Sequence, residues 1–99
     1  TQLACWAHAR RKFADIVKSN KSSQESQKYA NEVLILIRKL YKIEKNIKDK
    51  PPDEKTFIRK ELSLPIINDI RAWIDSKFFK AQELGGSIAK ALVYLNNQF

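Results

Sequence analysis

The sequence predicts an all-α fold, a small helical bundle of about four to five helices built on an antiparallel pair of long helices. Apolar residues recur at spacings of three and four along most of the 99 residues. Only two glycines and three prolines interrupt the chain, which argues against a loop-rich or disordered protein. A chain of this length supports one small core, so we expect a single helical domain, residues 1–99.

Five helices are predicted from the periodicity, with the approximate bounds 6–18, 24–49, 53–63, 65–79 and 87–98. Residues 1–4, before the first helix, are compatible with the tail of a strand but are too few to decide. The polar stretch 19–26 predicts a loop, in which Ser22 or Ser23 would cap the second helix.

The second helix carries the clearest pattern. Its apolar residues alternate in steps of four and three, in the order Tyr29, Val33, Leu36, Leu40, Ile43 and Ile47. Leu34, Ile37 and Tyr41 widen this stripe, and a wide stripe suits burial in a bundle better than an isolated two-stranded coil. Pro51 and Pro52 end the helix, because the residue before a proline disfavours the α conformation.

Proline and glycine divide the second half of the chain. Pro65 falls inside an apolar run, where it either kinks a helix or divides it. We favour two segments in one rough direction, with Ser63 as the cap of the second. Gly85-Gly86 is the strongest turn signal, after which Ser87 would cap the last helix.

The charge balance favours a polyanionic partner. The chain has 19 Lys and Arg against 11 Asp and Glu, a net charge of +8. Such a charge speeds encounter with nucleic acid first and with an anionic membrane surface second. Seven basic residues are the candidate DNA-binding groups: Arg10, Arg11, Lys12, Arg38, Lys39, Lys42 and Lys45. They could equally form an ordinary solvated surface.

Other chemistry has little support. Cys5 and His8 are spaced like metal ligands, but a structural zinc site needs four such residues and the chain has no other Cys or His. The acids lie mostly near lysines, as Glu44 does with Lys48, which suggests weak surface pairs. We therefore predict no metal site and no catalytic residue. Trp6 and Trp73 could stack on bases, although both fall in apolar patterns typical of a core.

Residues 5–13, with the sequence CWAHARRKF, closely resemble a signature of the insertion sequence 66 family of DDE transposases. The positions that carry this motif are Cys5, Trp6, His8, Arg10, Arg11 and Phe13. Further resemblances follow in the family's order: the segment 40–44, Arg59 with Ser63 and Pro65, Trp73 with Ile74, and the segment 87–98. Phe99 and the glycine pair depart from the family pattern.

The resemblance implies a ribonuclease-H-like catalytic core in which two aspartates and one glutamate hold Mg²⁺ or Mn²⁺. None of the 11 acids matches those positions, so the chain resembles the helical insertion between the second aspartate and the glutamate, inactive alone. Starting at Thr1 and still helical in pattern at Phe99, it is expected to continue at both ends.

The resemblance also implies DNA and the remainder of the transposase as partners and a bacterial cytoplasmic location. The wide apolar stripe makes a homo-oligomer possible, and because no apolar run approaches the ~20 residues that span a bilayer, we expect no membrane partner. Arg10 and Arg11 would lie near the active site, contacting phosphates or pairing with acids of the core. A structural or oligomerisation role without DNA contact is the alternative.

Overall fold

The computed structural model describes the backbone of residues 2–98 and the side chains of residues 6–98. In chain order the elements are α1 (Gln2–Lys18), α2 (Gln24–Ile47), α3 (Pro52–Ile58), a π-helical turn (Arg59–Ser63), α4 (Leu64–Leu84) and α5 (Gly86–Asn96). Residues 2–98 contain no strand. The predicted all-α fold, a small helical bundle, is confirmed.

Helix α1 begins at Gln2, several residues before the predicted start. The suggestion of a strand tail in residues 1–4 is therefore wrong for residues 2–4, since a strand needs a pairing neighbour and the described chain provides none. Ala9, Phe13 and Ile16 follow at helical spacing and are almost completely buried. They form the face of α1 that enters the core.

Helix α2 begins where the sequence indicated. The hydroxyl of Ser23 accepts a hydrogen bond of 3.1 Å from the backbone N–H of Ser26, so Ser23 is the cap. The stripe of α2 is as wide as the pattern suggested: Leu34 and Ile37 are buried together with Val33. Helix α2 packs against both α1 and α4, and a narrow apolar seam would not cover both contacts.

The backbone remains helical across Pro65, so residues 52–84 form one continuous helical rod (the rod) rather than two segments. A π-helical turn precedes the proline, and the N–H of Leu64 donates to the carbonyl of Arg59, five residues back. Proline has no N–H to donate and its ring crowds the carbonyl four residues earlier; the wider π turn accommodates both. Ser63 makes no capping hydrogen bond, so its predicted role was wrong.

The turn at Gly85 has a specific backbone requirement. Gly85 has φ +69° and ψ −170°, a conformation that residues with a Cβ avoid. Helix α5 starts directly after it, and Ser87 lies inside the helix without a capping bond, contrary to the prediction. Helix α5 ends at Asn96, where the N–H of Gln98 bonds to the carbonyl of Leu95; Phe99 lies outside the described residues.

The core lies between α1, α2, α4 and α5, and all four contribute fully buried side chains. In contrast, α3 contains no buried residue. The π-helical turn contacts α2, and a groove lies between α2 and this part of the rod. Within the described residues, no helix is both long and apolar enough to cross a membrane.

Candidate nucleic-acid interface

Arg10 of α1 lies over the aromatic ring of Tyr41 in α2, with 5.2 Å between the guanidinium carbon and the ring centroid. This is a cation–π contact between neighbouring helices. Tyr41 is one helical turn from both Arg38 and Lys45, at spacings of three and four residues. The contact therefore brings Arg10 beside the basic residues of α2.

Arg38, Lys42 and Lys45 follow one another at helical spacing along the exposed side of α2. With Arg10 they form what we call the basic row; Lys39 is exposed beside it. Within the described residues, none of the four forms an ion pair. Like charges one helical turn apart repel one another by ~0.2–0.5 kcal/mol per pair. A bound polyanion would reduce this repulsion between the cations of the basic row.

The structure does not gather the run Arg10-Arg11-Lys12 into one patch. The ammonium of Lys12 lies 5.0 Å from the ring centroid of Tyr94, which places it against α5. Arg11 is exposed and lies two residues from Ala9 and Phe13, on the side of α1 away from the core. Three consecutive cations of a helix therefore face three directions, and only Arg10 joins the basic row.

A groove of about 350 Å³ lies between the start of α1, the second half of α2 and the rod. We call it the rod groove. Trp6 and Tyr41 supply aromatic walls, and Glu44, Arg59 and Ser63 are among the polar residues that line it. A concave surface of this size, mostly apolar with a few convergent polar groups, is typical of a ligand site.

Glu44 and Arg59 join the two sides of the rod groove. The guanidinium donates two hydrogen bonds, Nε to Oε2 at 3.0 Å and Nη2 to Oε1 at 2.8 Å. The hydrogen bonding of Arg59 to Glu44 raises the pKa of Arg59, against a smaller opposing effect of burial. The sequence suggested Lys48 as the partner of Glu44, and this was wrong, because a guanidinium can engage both carboxylate oxygens across the helices.

Ser63 is the unusual polar residue of the rod groove. It is only 7% exposed, and its hydroxyl has no hydrogen-bond partner among the described residues. Thr56, which also lines the groove, satisfies its hydroxyl by donating to the carbonyl of Pro52 at 3.0 Å. A buried hydroxyl without a partner is uncommon in native structures, and it marks Ser63 as a group that a ligand can complete.

The two tryptophans have different surroundings. Trp73 meets Phe13 edge to face at 6.2 Å and donates from its indole N–H to Glu32 at 3.2 Å. Its place at the edge of the core agrees with the interpretation from its apolar pattern. Trp6 is half-buried and lines the rod groove, so it remains a candidate for stacking.

The acids of the described chain do not assemble a metal site. Among the residues that the structure describes, no three His, Cys, Asp or Glu side chains lie close enough together to hold an ion. Glu44 is engaged by Arg59, and Glu32 accepts the bond from Trp73. His8 is exposed, and the side chain of Cys5 lies outside the described residues. The described residues therefore do not fit the divalent metal that the sequence resemblance implies.

These features define a basic, all-α module with a groove beside a row of unneutralised cations. A model of the Transposase IS66 family matches residues 1–99. The chain therefore belongs to the Transposase IS66 family, as the motif that begins at Cys5 indicated. Membership of this DDE family implies a divalent metal for the full-length enzyme.

Two relatives from Sinorhizobium fredii (strain NBRC 101917 / NGR234) match part of the chain. The chain is 32% identical to "Uncharacterized protein y4jD" over 68 residues, 69% of this chain and 12% of that protein. It is 29% identical to "Uncharacterized protein y4hP" over 77 residues, 71% of this chain and 14% of that protein. The chain thus spans about an eighth of the length of these curated relatives. No solved structure matches it.

The structure brings together segments that the sequence analysis treated separately. Trp6, Tyr41, Glu44, Arg59 and Ser63 all belong to segments that carry the family resemblance, and all line the rod groove. The last four were not predicted as site residues. Their signal was present in the resemblance, but the pairing of segments 40–44 and 59–65 depends on how the rod lies against α2.

Proposed function

We propose that this region of the transposase contributes phosphate contacts to bound DNA and supports a catalytic core that lies outside this chain. The observation that carries the proposal is the basic row, in which Arg10 contacts Tyr41, the residue one helical turn from both Arg38 and Lys45. Arg11 and Lys12 lie apart from this row and are candidates for separate contacts, with DNA or with carboxylates elsewhere in the protein.

The physical reason is counterion release. A protein that neutralises phosphates with Lys or Arg frees condensed cations from the duplex, so its affinity falls steeply with salt. A row of exposed cations without acidic partners is available for that exchange, whereas cations in ion pairs must first lose their partners. The net charge of +8 supports the same partner through long-range attraction.

The test compares two variants with the same net charge. One replaces the basic row, Arg10, Arg38, Lys42 and Lys45, with glutamine; the matched control replaces four other exposed lysines, Lys21, Lys28, Lys80 and Lys90. Affinity for a duplex is measured by fluorescence anisotropy across a salt titration. We expect the row variant to lose about three to four units of the log–log salt slope and the control to lose much less.

Equal losses in the two variants would mean that binding follows net charge rather than the row. An absence of binding by the unmodified protein even at low salt would remove the DNA role of this region. Circular dichroism of each variant establishes that the helices remain folded.

A second function has its own observation. Three apolar side chains of the rod, Phe57, Leu62 and Leu64, are between 47% and 66% exposed. Exposed apolar side chains that adjoin one another are typical of a surface that packs on another protein or another part of the same protein. The stripe of α2 does not offer this surface, because Leu36 packs against the core.

Light scattering over a concentration series tests the assembly role, with Phe57→Glu as the variant. Concentration-dependent association that Phe57→Glu abolishes would support it. If the protein stays monomeric at every concentration, these apolar side chains would instead be expected to contact another part of the transposase chain.

A further inference from the structure

The rod groove and the basic row share one residue. The guanidinium of Arg10 lies over the ring of Tyr41, and Tyr41 also lines the groove. Trp6, the second aromatic wall, lies one helical turn before Arg10 on α1. A chain of phosphates lying along the basic row would therefore pass the opening of the groove, close to both aromatic residues.

The polar content of the groove favours a ligand with its own hydrogen-bonding edge. Ser63 is buried, and its hydroxyl, which can donate or accept, is unused within the described chain. The π-helical turn that ends at Ser63 widens the helix at this point, and such turns are frequent at functional sites. Lys60, exposed at the rim and without an ion pair among the described residues, adds a cation on the rod side.

We propose that the rod groove binds one unpaired base of DNA while the flanking phosphates contact the basic row. This rests on the proposed DNA contact and deepens it. Aromatic walls stack on a base regardless of its identity, adjacent cations hold the backbone, and the Ser63 hydroxyl bonds to an edge of the base. The volume of about 350 Å³ accommodates a planar ring system.

A peptide segment is the competing occupant. It is disfavoured because two cations beside the groove, Arg10 and Lys60, form no ion pair within the described chain and complement a polyanion. The same charges favour nucleic acid over an apolar helix. Affinities for DNA with and without an unpaired base separate the two occupants.

The experiment uses two duplexes that differ in one base. Each carries a single-nucleotide bulge, a thymidine in one and an abasic tetrahydrofuran residue in the other, so their phosphates are equal in number. Affinities are measured by anisotropy at one salt concentration, and then across a salt titration. We expect the protein to bind the thymidine bulge about tenfold more tightly, because only that DNA presents a base to stack.

Two variants assign the preference to the groove. Ser63→Ala should reduce the preference several-fold and leave the melting temperature unchanged or slightly higher, because the hydroxyl has no hydrogen-bond partner among the described residues. Trp6→Leu should reduce it further by removing one stacking wall. Ser76→Ala is the matched control, since that exposed hydroxyl bonds to the carbonyl of Trp73, and Trp73→Phe controls for the loss of an indole. Both controls should keep the preference.

Equal affinity for the two bulges, with the salt dependence intact, would overturn this proposal and leave the phosphate-contact function standing. Absence of salt-dependent binding to either DNA would remove both. A preference that survives in both Ser63→Ala and Trp6→Leu would place the base elsewhere and overturn the assignment. If the two bulges bind equally and the protein self-associates in a way that Ser63→Ala weakens, the groove binds a peptide segment instead of a base.

Discussion

Glu44 of α2 and Arg59 of the π-helical turn form a two-point ion pair, with N–O distances of 3.0 and 2.8 Å. The two residues are 15 positions apart in the sequence, and the pair joins helices on either side of the Pro51–Pro52 turn. It also lies in the wall of the rod groove, which Ser63 and Tyr41 share. Because α3 buries no side chain, this pair is one of the few polar contacts that fix the first part of the rod on α2.

The first prediction concerns the strength of that pair. The Arg59 side chain is 49% exposed, so solvent screening limits its contribution. We expect a coupling free energy of about 0.5–1 kcal/mol from a double-mutant cycle with Glu44→Gln and Arg59→Gln, measured by urea unfolding. The control is the exposed pair of Lys50 and Glu54, 3.9 Å apart, whose coupling should be near zero. Equal coupling in the two cycles would contradict a special role for Glu44.

A second prediction tests the core. Phe13 is completely buried, whereas Phe79 is 81% exposed on α4. Phe13→Ala should lower the free energy of unfolding by about 3–5 kcal/mol, through lost burial and the cavity left behind. Phe79→Ala should change it by less than about 0.5 kcal/mol. Urea unfolding measures both, and a large loss for Phe79→Ala would mean that α4 is packed differently.

A third prediction separates two serines that the sequence treats alike. Ser23 accepts a hydrogen bond from the N–H of Ser26, whereas Ser87 lies inside α5 and makes no capping bond. Ser23→Ala should cost about 1 kcal/mol. Ser87→Ala should be neutral or slightly stabilising, because alanine is the better residue within a helix. Thermal unfolding of both variants checks this, and the reverse order would contradict the assignment of the caps.

The caps illustrate what could be predicted from sequence and what could not. The wide apolar stripe of α2 and the cap at Ser23 follow from local periodicity and side-chain chemistry, and both are present. The start of α1 before residue 6 and the absence of a helix break at Pro65 could not be predicted from those local patterns. Proline usually ends or bends a helix, and the π turn that accommodates Pro65 is a rare solution that propensities do not indicate.

The site was less predictable than the fold. Exposed cations at helical spacing made Arg38, Lys42 and Lys45 candidate DNA-binding residues, and their common exposed side depends on α2 alone. Whether Arg10 joins these residues depends on how α1 packs against α2. Lys12, two residues later on α1, lies over the ring of Tyr94 and does not join them. Glu44, Arg59 and Ser63 became site residues only through tertiary contacts that no local pattern contains.

The last prediction tests one cation of the basic row against one elsewhere. Lys42 is exposed between Arg38 and Lys45 on α2, whereas Lys80 lies on α4 and is 4.0 Å from Glu83. If Lys42 contacts a phosphate, Lys42→Gln should lower the log–log salt slope of duplex binding by about 0.9, the value for one released contact. Lys80→Gln removes the same charge and should leave the slope nearly unchanged, because Lys80 lies outside the row. Anisotropy titrations between low and moderate salt measure both slopes on one DNA. Equal changes would show that Lys42 acts only through the net charge of the protein, and the contact surface would then have to lie elsewhere on the bundle.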